Sequence, residues 1–212
     1  MAFSDYKSIS QVQKEFKIKY QEANFLMPED LEPSAAFRAE FQFNTDNIDV
    51  YSSEASRAEA IIFPVLREIY KRHYEKYSLW VQKAMAYDDK LSGTPDYLIG
   101  TKSELGKTYL ETPLVIIAEA KKNDFEQGWG QCLAELIAAQ KLNGDSQQSV
   151  QGIVTDGKFW EFGKLEGAVF TKNKEPYTVE HLAQLFGALN VVFQAASSPQ
   201  STSALLRRAS DG

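Results

Sequence analysis

With 212 residues, of which 43% are hydrophobic and 25% charged, the chain is long enough for one compact α/β domain and too rich in core-forming residues to be disordered throughout. A formal net charge of −6 excludes a generally basic, nucleic-acid-coating surface, so any phosphate contact must come from a local patch. One cysteine, Cys132, and two distant histidines, His73 and His181, exclude an intrachain disulfide and a Cys/His zinc site.

The first ten residues, MAFSDYKSIS, hold no apolar run, so no signal peptide is expected. The longest apolar run, residues 114–118, is too short to span a bilayer, and a cytoplasmic protein without membrane contact is the expectation. Residues 8–22 read as a short amphipathic helix carrying Val12, Phe16 and Ile18. Residues 23–53, broken by Pro28 and Pro33, read as irregular, with a strand near residues 37–43. Ser52-Ser53 offers an N-cap to a helix over 54–77, whose Ala58, Ile61, Ile62, Val65, Leu66 and Ile69 make one apolar stripe. Pro64 within it predicts a kink or a division.

Three strands are predicted next, at 79–87, 96–101 and 114–120, the last two joined by a polar loop. A helix over 125–142 ends at Asn143-Gly144. Strands at 150–155 and 159–162 flank the turn Asp156-Gly157-Lys158; Val169-Phe170 adds an edge strand, and a last helix covers 178–195. The pattern predicts an α/β fold in which a mixed sheet is flanked by helices on both sides. It divides into a helical and irregular extension, 1–50, a main domain, 51–196, and a disordered Ser-, Pro- and Gln-rich tail, 197–212.

The segment PLVIIAEAK, residues 113–121, carries the chemistry. Alternation puts Val115, Ile117, Glu119 and Lys121 on one face and Leu114, Ile116, Ala118 and Ala120 on the other. A carboxylate at the end of so apolar a strand is costly unless it is paired or binds a metal. Asp96, after the Gly93-Thr94-Pro95 turn, heads the preceding strand and can lie beside Glu119. Two carboxylates and a lysine in one cleft suit phosphodiester hydrolysis: hard oxygen ligands for Mg²⁺ or Mn²⁺, and a lysine to orient or deprotonate the bound water and stabilise developing charge. The plainer alternatives are a Glu119–Lys121 salt bridge and a turn-capping Asp96.

Pro95-Asp96, a hairpin, then Glu119-Ala120-Lys121 closing an apolar strand resembles the PD-(D/E)XK nuclease superfamily. The segment SEASRAEAIIFPVL, residues 53–66, is similar to the first helix of type I restriction-enzyme R-subunit N-terminal domains and their stand-alone relatives. The resemblance implies a restriction-endonuclease-like sheet and a metal-dependent nuclease acting on nucleic acid, DNA in the first place. It implies Asp96 and Glu119 as metal ligands, with Glu54, or failing it Glu59, as a third acidic group from the helix. Lys121 would be catalytic, and Gln131, in a Gln-x-x-x-Glu135 segment similar to the family's glutamine motif, would hold the nucleic-acid backbone or the lysine. Glu135 departs from the tyrosine found in several members. A homodimer or a subunit of a restriction or defence assembly fits the same resemblance. A catalytically inactive nuclease-fold module for nucleic-acid or protein binding is the alternative.

Overall fold

The computed structural model describes residues 2–121 and 124–197; the rest of the expected tail, 198–212, lies outside them. A 3-10 turn, Phe3–Asp5, leads to α1 (Ile9–Phe16), β1 (Lys19–Ala23) and α2 (Ala35–Asn47). Then α3 (Glu54–Arg57), a π-helical turn (Ala58–Ile62) and α4 (Phe63–Tyr70) run on continuously. Strands β2 (Tyr77–Val81), β3 (Met85–Ala86), β4 (Ser92–Gly93), β5 (Tyr97–Thr101) and β6 (Glu111–Ala120) follow. The chain continues through α5 (Phe125–Asn143), β7 (Val150–Thr155), β8 (Phe159–Glu166), β9 (Val169–Asn173), β10 (Tyr177–Thr178) and α6 (Leu182–Ser197).

The main sheet has the order β1-β9-β8-β7-β6-β5-β2, with β10 added to β8. The β1/β9 and β6/β7 pairs are parallel and the others antiparallel, so the sheet is mixed. Helices cover both faces. On one side Leu66 and Ile69 of α4 and Phe186, Leu189 and Phe193 of α6 pack with Ile116 and Ala118 of β6. On the other, Trp129, Leu133 and Leu136 of α5 and Val12 of α1 pack with Leu114 and Ile117. Among the described residues no helix is long and apolar enough to cross a membrane.

The structure corrects several expectations. The amphipathic pattern over 8–22 ends at Phe16: Lys17 takes a left-handed conformation (φ 60°), and Lys19–Ala23 become β1. Residues 37–43 lie in a helix, α2, capped by Ser34 Oγ accepting from Phe37 N, rather than in a strand. Residues 1–50 thus hold two α-helices and a strand of the main sheet, with residues 24–34 irregular as expected, and β9, outflanked by β1, is not an edge strand. The strand expected over 79–87 is cut at Val81, and Met85-Ala86 pair with Ser92-Gly93 in a separate small sheet. The expected helix ends at Tyr70 and is divided as Pro64 implies. Phe63 N donates to Ala58 O, and this wide turn lets the chain pass a residue that has no N–H to give.

The face assignment along β6 holds only for its second half. A register shift opposite Gly100 puts Leu114 with the α5 layer and Val115 with the α4/α6 layer, reversing their expected sides. From Ile116 onward alternation is regular, so Glu119 follows Ile117 toward α5.

The extended segment before α2 crosses α6 at Gly187, where an added Cβ would lie 2.1 Å from Glu29 O. Gly187→Ala gains up to about 1 kcal/mol of helix propensity. The backbone clash outweighs it, and a net loss of about 2 kcal/mol is expected from urea unfolding.

Candidate functional site

β6 is central in the sheet and leaves its C-terminal end for α5, which returns to the parallel neighbour β7. Side chains at that end sit where a crossover opens a crevice above the sheet, the usual ligand position in such arrangements. Asp124 caps α5, its Oδ1 accepting from Gln127 N at 2.9 Å.

Asp96 and Glu119 meet there. Tyr97 pairs with Ala118, so the residue before β5 falls opposite Glu119. Asp96 N donates to Glu119 Oε1 (3.2 Å), and Ala120 N donates to Asp96 Oδ2 (2.9 Å). Each carboxylate is thus fixed by the other strand's backbone. Lys121 Nζ lies 3.2 Å from Glu119 Oε2; the lysine side chain is 18% exposed and that of Glu119 is fully buried. This contact is an ion pair without hydrogen-bond directionality, and Glu119 Oε2 has no hydrogen-bond donor. The lysine stem passes Gly128 of α5, where a Cβ would meet Val154 Cγ1 at 2.6 Å and Lys121 Cγ at 3.1 Å. Only glycine leaves the stem this path.

Behind Glu119, α5 supplies a second buried carboxyl. Glu135 is fully buried and hydrogen-bonded to Glu119; Gln131 Nε2 donates to Glu135 Oε1 at 3.1 Å. Burial pushes the Glu119 carboxyl up, and the charge of Asp96 adds to this; the opposing pull of Lys121 is smaller. Glu135 is raised as well, by burial first and by Glu119 second, so the two buried carboxyls resist carrying two charges. Burial works against the Lys121 ammonium, but Glu119, Asp96 and Glu54 outweigh it and raise its pKa.

Glu54, in the first turn of α3, lines a cavity of about 210 Å³ together with Asp96, Tyr97, Ala120, Val81 and Gln82. It therefore shares the crevice with Asp96, and its charge reaches Lys121. Glu59 is one step outward, on a neighbouring cavity, and is exposed although Ile62 and Leu66 are buried. The π turn breaks the face these residues share in a regular helix.

The structure thus brings Asp96, Glu119 and Lys121 together, with Glu54 at the rim. Gln131 sits beneath them, nine-tenths buried, and its hydrogen-bond partner is Glu135 rather than the lysine. Sequence reasoning missed Gly128 and the role of Glu135. The i, i+4 spacing of Gln131 and Glu135 permits their mutual contact, but no local signal puts Glu135 against Glu119.

Among the described residues no three His, Cys, Asp or Glu side chains are grouped as a ready-made metal cage. A magnesium-type ion does not need one, since it binds through one or two carboxylates and keeps several waters. Asp96 and Glu119 supply that donor set. Glu119 Oε2, buried and 3.2 Å from the Lys121 ammonium, takes no backbone hydrogen bond and is the oxygen turned to such an ion. Compared with protein-family models and with curated proteins, the chain matches none.

Proposed function

We propose that the protein is a divalent-metal-dependent nuclease with a restriction-endonuclease-like fold, hydrolysing phosphodiester bonds in DNA. The observation that carries this reading is the convergence of Asp96, Glu119 and Lys121 at the end of a central strand, each held by the other or by backbone. Asp96 and Glu119 would hold Mg²⁺ or Mn²⁺, with Glu54 lining the same cavity as Asp96. The ion supplies Lewis-acid polarisation of the phosphate and a more acidic bound water.

The chain's own groups do the rest. Glu119, Asp96 and Glu54 raise the Lys121 pKa against the effect of burial. This suits Lys121 to donate, orienting water and offsetting charge on the phosphate. Glu135 holds the Glu119 carboxylate by a hydrogen bond from the side away from the crevice, and Gln131 fixes Glu135 in turn. The Ala120 N–H keeps Asp96 Oδ2 in place.

The test is incubation of the purified protein with plasmid, linear duplex and single-stranded DNA and with RNA, in Mg²⁺, Mn²⁺ or EDTA. Cleavage that needs the ion and is lost in Asp96→Asn is the expected result. A protein that cleaves none of these and binds neither ion by calorimetry would instead be a nuclease-fold binding module.

A further inference from the structure

Next to the carboxylates, and continuous with their cavity, lies a second one of about 370 Å³. The two share Ala55, Ala58, Val81, Gln82 and Tyr97. Its size is that of a small-ligand site. We propose that this side cavity takes one unpaired nucleobase of the strand being cut, making single-stranded or locally unpaired DNA the preferred substrate; the inference rests on the nuclease reading of the adjacent site.

Three observations point to a base. The first is the wall. Phe63 and Tyr97 lie with ring centroids 6.3 Å apart and planes 13° from parallel. Tyr97 is tied down by its hydroxyl, which donates to Ala58 O in the π turn at 3.4 Å. Val81, 53% exposed at the end of edge strand β2, faces the same space. Tyr97 is 4% exposed and backs the cavity, so the half-buried Phe63 ring and Val81 offer the apolar surface for the flat face of a base.

The second is charge. The lining has no cation, and its one charged residue is Glu59. A phosphate would be repelled, whereas the amino and imino N–H groups of a base edge would find an acceptor. Duplex binding draws most of its affinity from cations facing two phosphate strands. The lining of this cavity offers no such cation.

The third is Gln82. It stands at the lip of both cavities with its side chain exposed and its backbone left-handed (φ 48°), a conformation that costs energy for any residue with a Cβ. Its N–H donates to Asp96 O at 2.9 Å. The strained residue is thus bonded to the backbone of a proposed metal ligand, and strain of this kind collects at ligand sites. The amide can both donate to and accept from a base edge, so Gln82 is assigned as a specificity-determining residue.

The experiment measures fluorescence anisotropy of a labelled single strand, its duplex and the same strand with abasic sites, in EDTA, with the full chain. Wild type is expected to bind the single strand at least about 10-fold tighter than the duplex and to lose about 10-fold on the abasic strand. Gln82→Gly relieves the backbone strain, so its melting temperature should not fall, yet its affinity for the intact strand should drop severalfold. Phe63→Ala should weaken binding likewise. Equal affinity for intact and abasic strands, or a Gln82→Gly variant that binds like wild type, would overturn the assignment. Failure of every nucleic acid to be cleaved in Mg²⁺ or Mn²⁺, with the anisotropy pattern intact, would overturn the nuclease reading and leave the base subsite standing.

Discussion

Replacing Glu135 with glutamine is expected to stabilise the metal-free protein by about 2 kcal/mol at pH 7 and to leave its stability unchanged at pH 4. Glu135 is fully buried, and its pKa is raised well above the ordinary carboxyl value by burial and by Glu119. In the unfolded chain it ionises near pH 4.3. Below that pH both states carry the proton and folding is indifferent to it. Above it only the folded state does, so stability falls as pH rises toward the folded pKa. The slope is about 1.4 kcal/mol per pH unit between the unfolded and folded pKa values. Glutamine has no proton to lose and removes this penalty. It keeps the shape, can donate to Glu119 and can accept from Gln131, and about 2 kcal/mol allows for imperfect replacement. Urea unfolding at pH 4 and pH 7 in EDTA measures it. A variant less stable than wild type at pH 7 would mean that Glu135 is ionised in the folded protein.

Lys121→Met is expected to lower cleavage at least about 1,000-fold while keeping, or tightening, the affinity for Mg²⁺. Methionine keeps the part of the stem that passes Gly128 and loses only the ammonium. Without it the phosphate charge is no longer offset and the water is no longer oriented. The ion, however, gains Glu119 Oε2 without a competing cation 3.2 Å away. Glu119→Ala and Asp96→Ala should lose cleavage to a similar extent but lose metal binding as well. Calorimetry beside a cleavage assay separates the two patterns. Weak metal binding in Lys121→Met would mean that the lysine holds the site's geometry, and full cleavage would remove it from the mechanism.

How far these features were legible in the sequence depended on where their causes lay. β6 and α5 announced themselves because long apolar patterns bury on both sides and end in strong signals, Glu119 and Lys121 in one case and Gly144, left-handed at φ 71°, in the other. The pairing of Asp96 with Glu119 followed from two neighbouring antiparallel strands. β1 gave no such signal. Its residues, KYQEA, are mostly exposed, and it is held by hydrogen bonds to β9 rather than by burial, so its composition reads like the end of α1. The stop between them is Lys17, left-handed without being glycine. α2 buries Phe37 alone, and aromatics at 37, 41 and 43 with no wide apolar stripe mimic a strand. The contact between Glu135 and Glu119 is tertiary, decided by how closely α5 lies on β6, and no periodicity along either element encodes it.

The outermost strand also bears on the order in which the chain can assemble during synthesis. Lys19 pairs with Val169 and Ala23 with Asn173, so the earliest-made strand has its partner among the last to emerge. At roughly 5 to 20 residues per second on the ribosome, about 150 residues mean some 8 to 30 seconds of waiting. Over that interval the sheet can build outward from β5, β6 and β7, whose partners follow soon after them, while residues 19–23 have no native strand to join. Their sequence carries Lys19, Gln21 and Glu22 and little apolar surface, a composition that discourages pairing with a neighbouring nascent chain before β9 arrives.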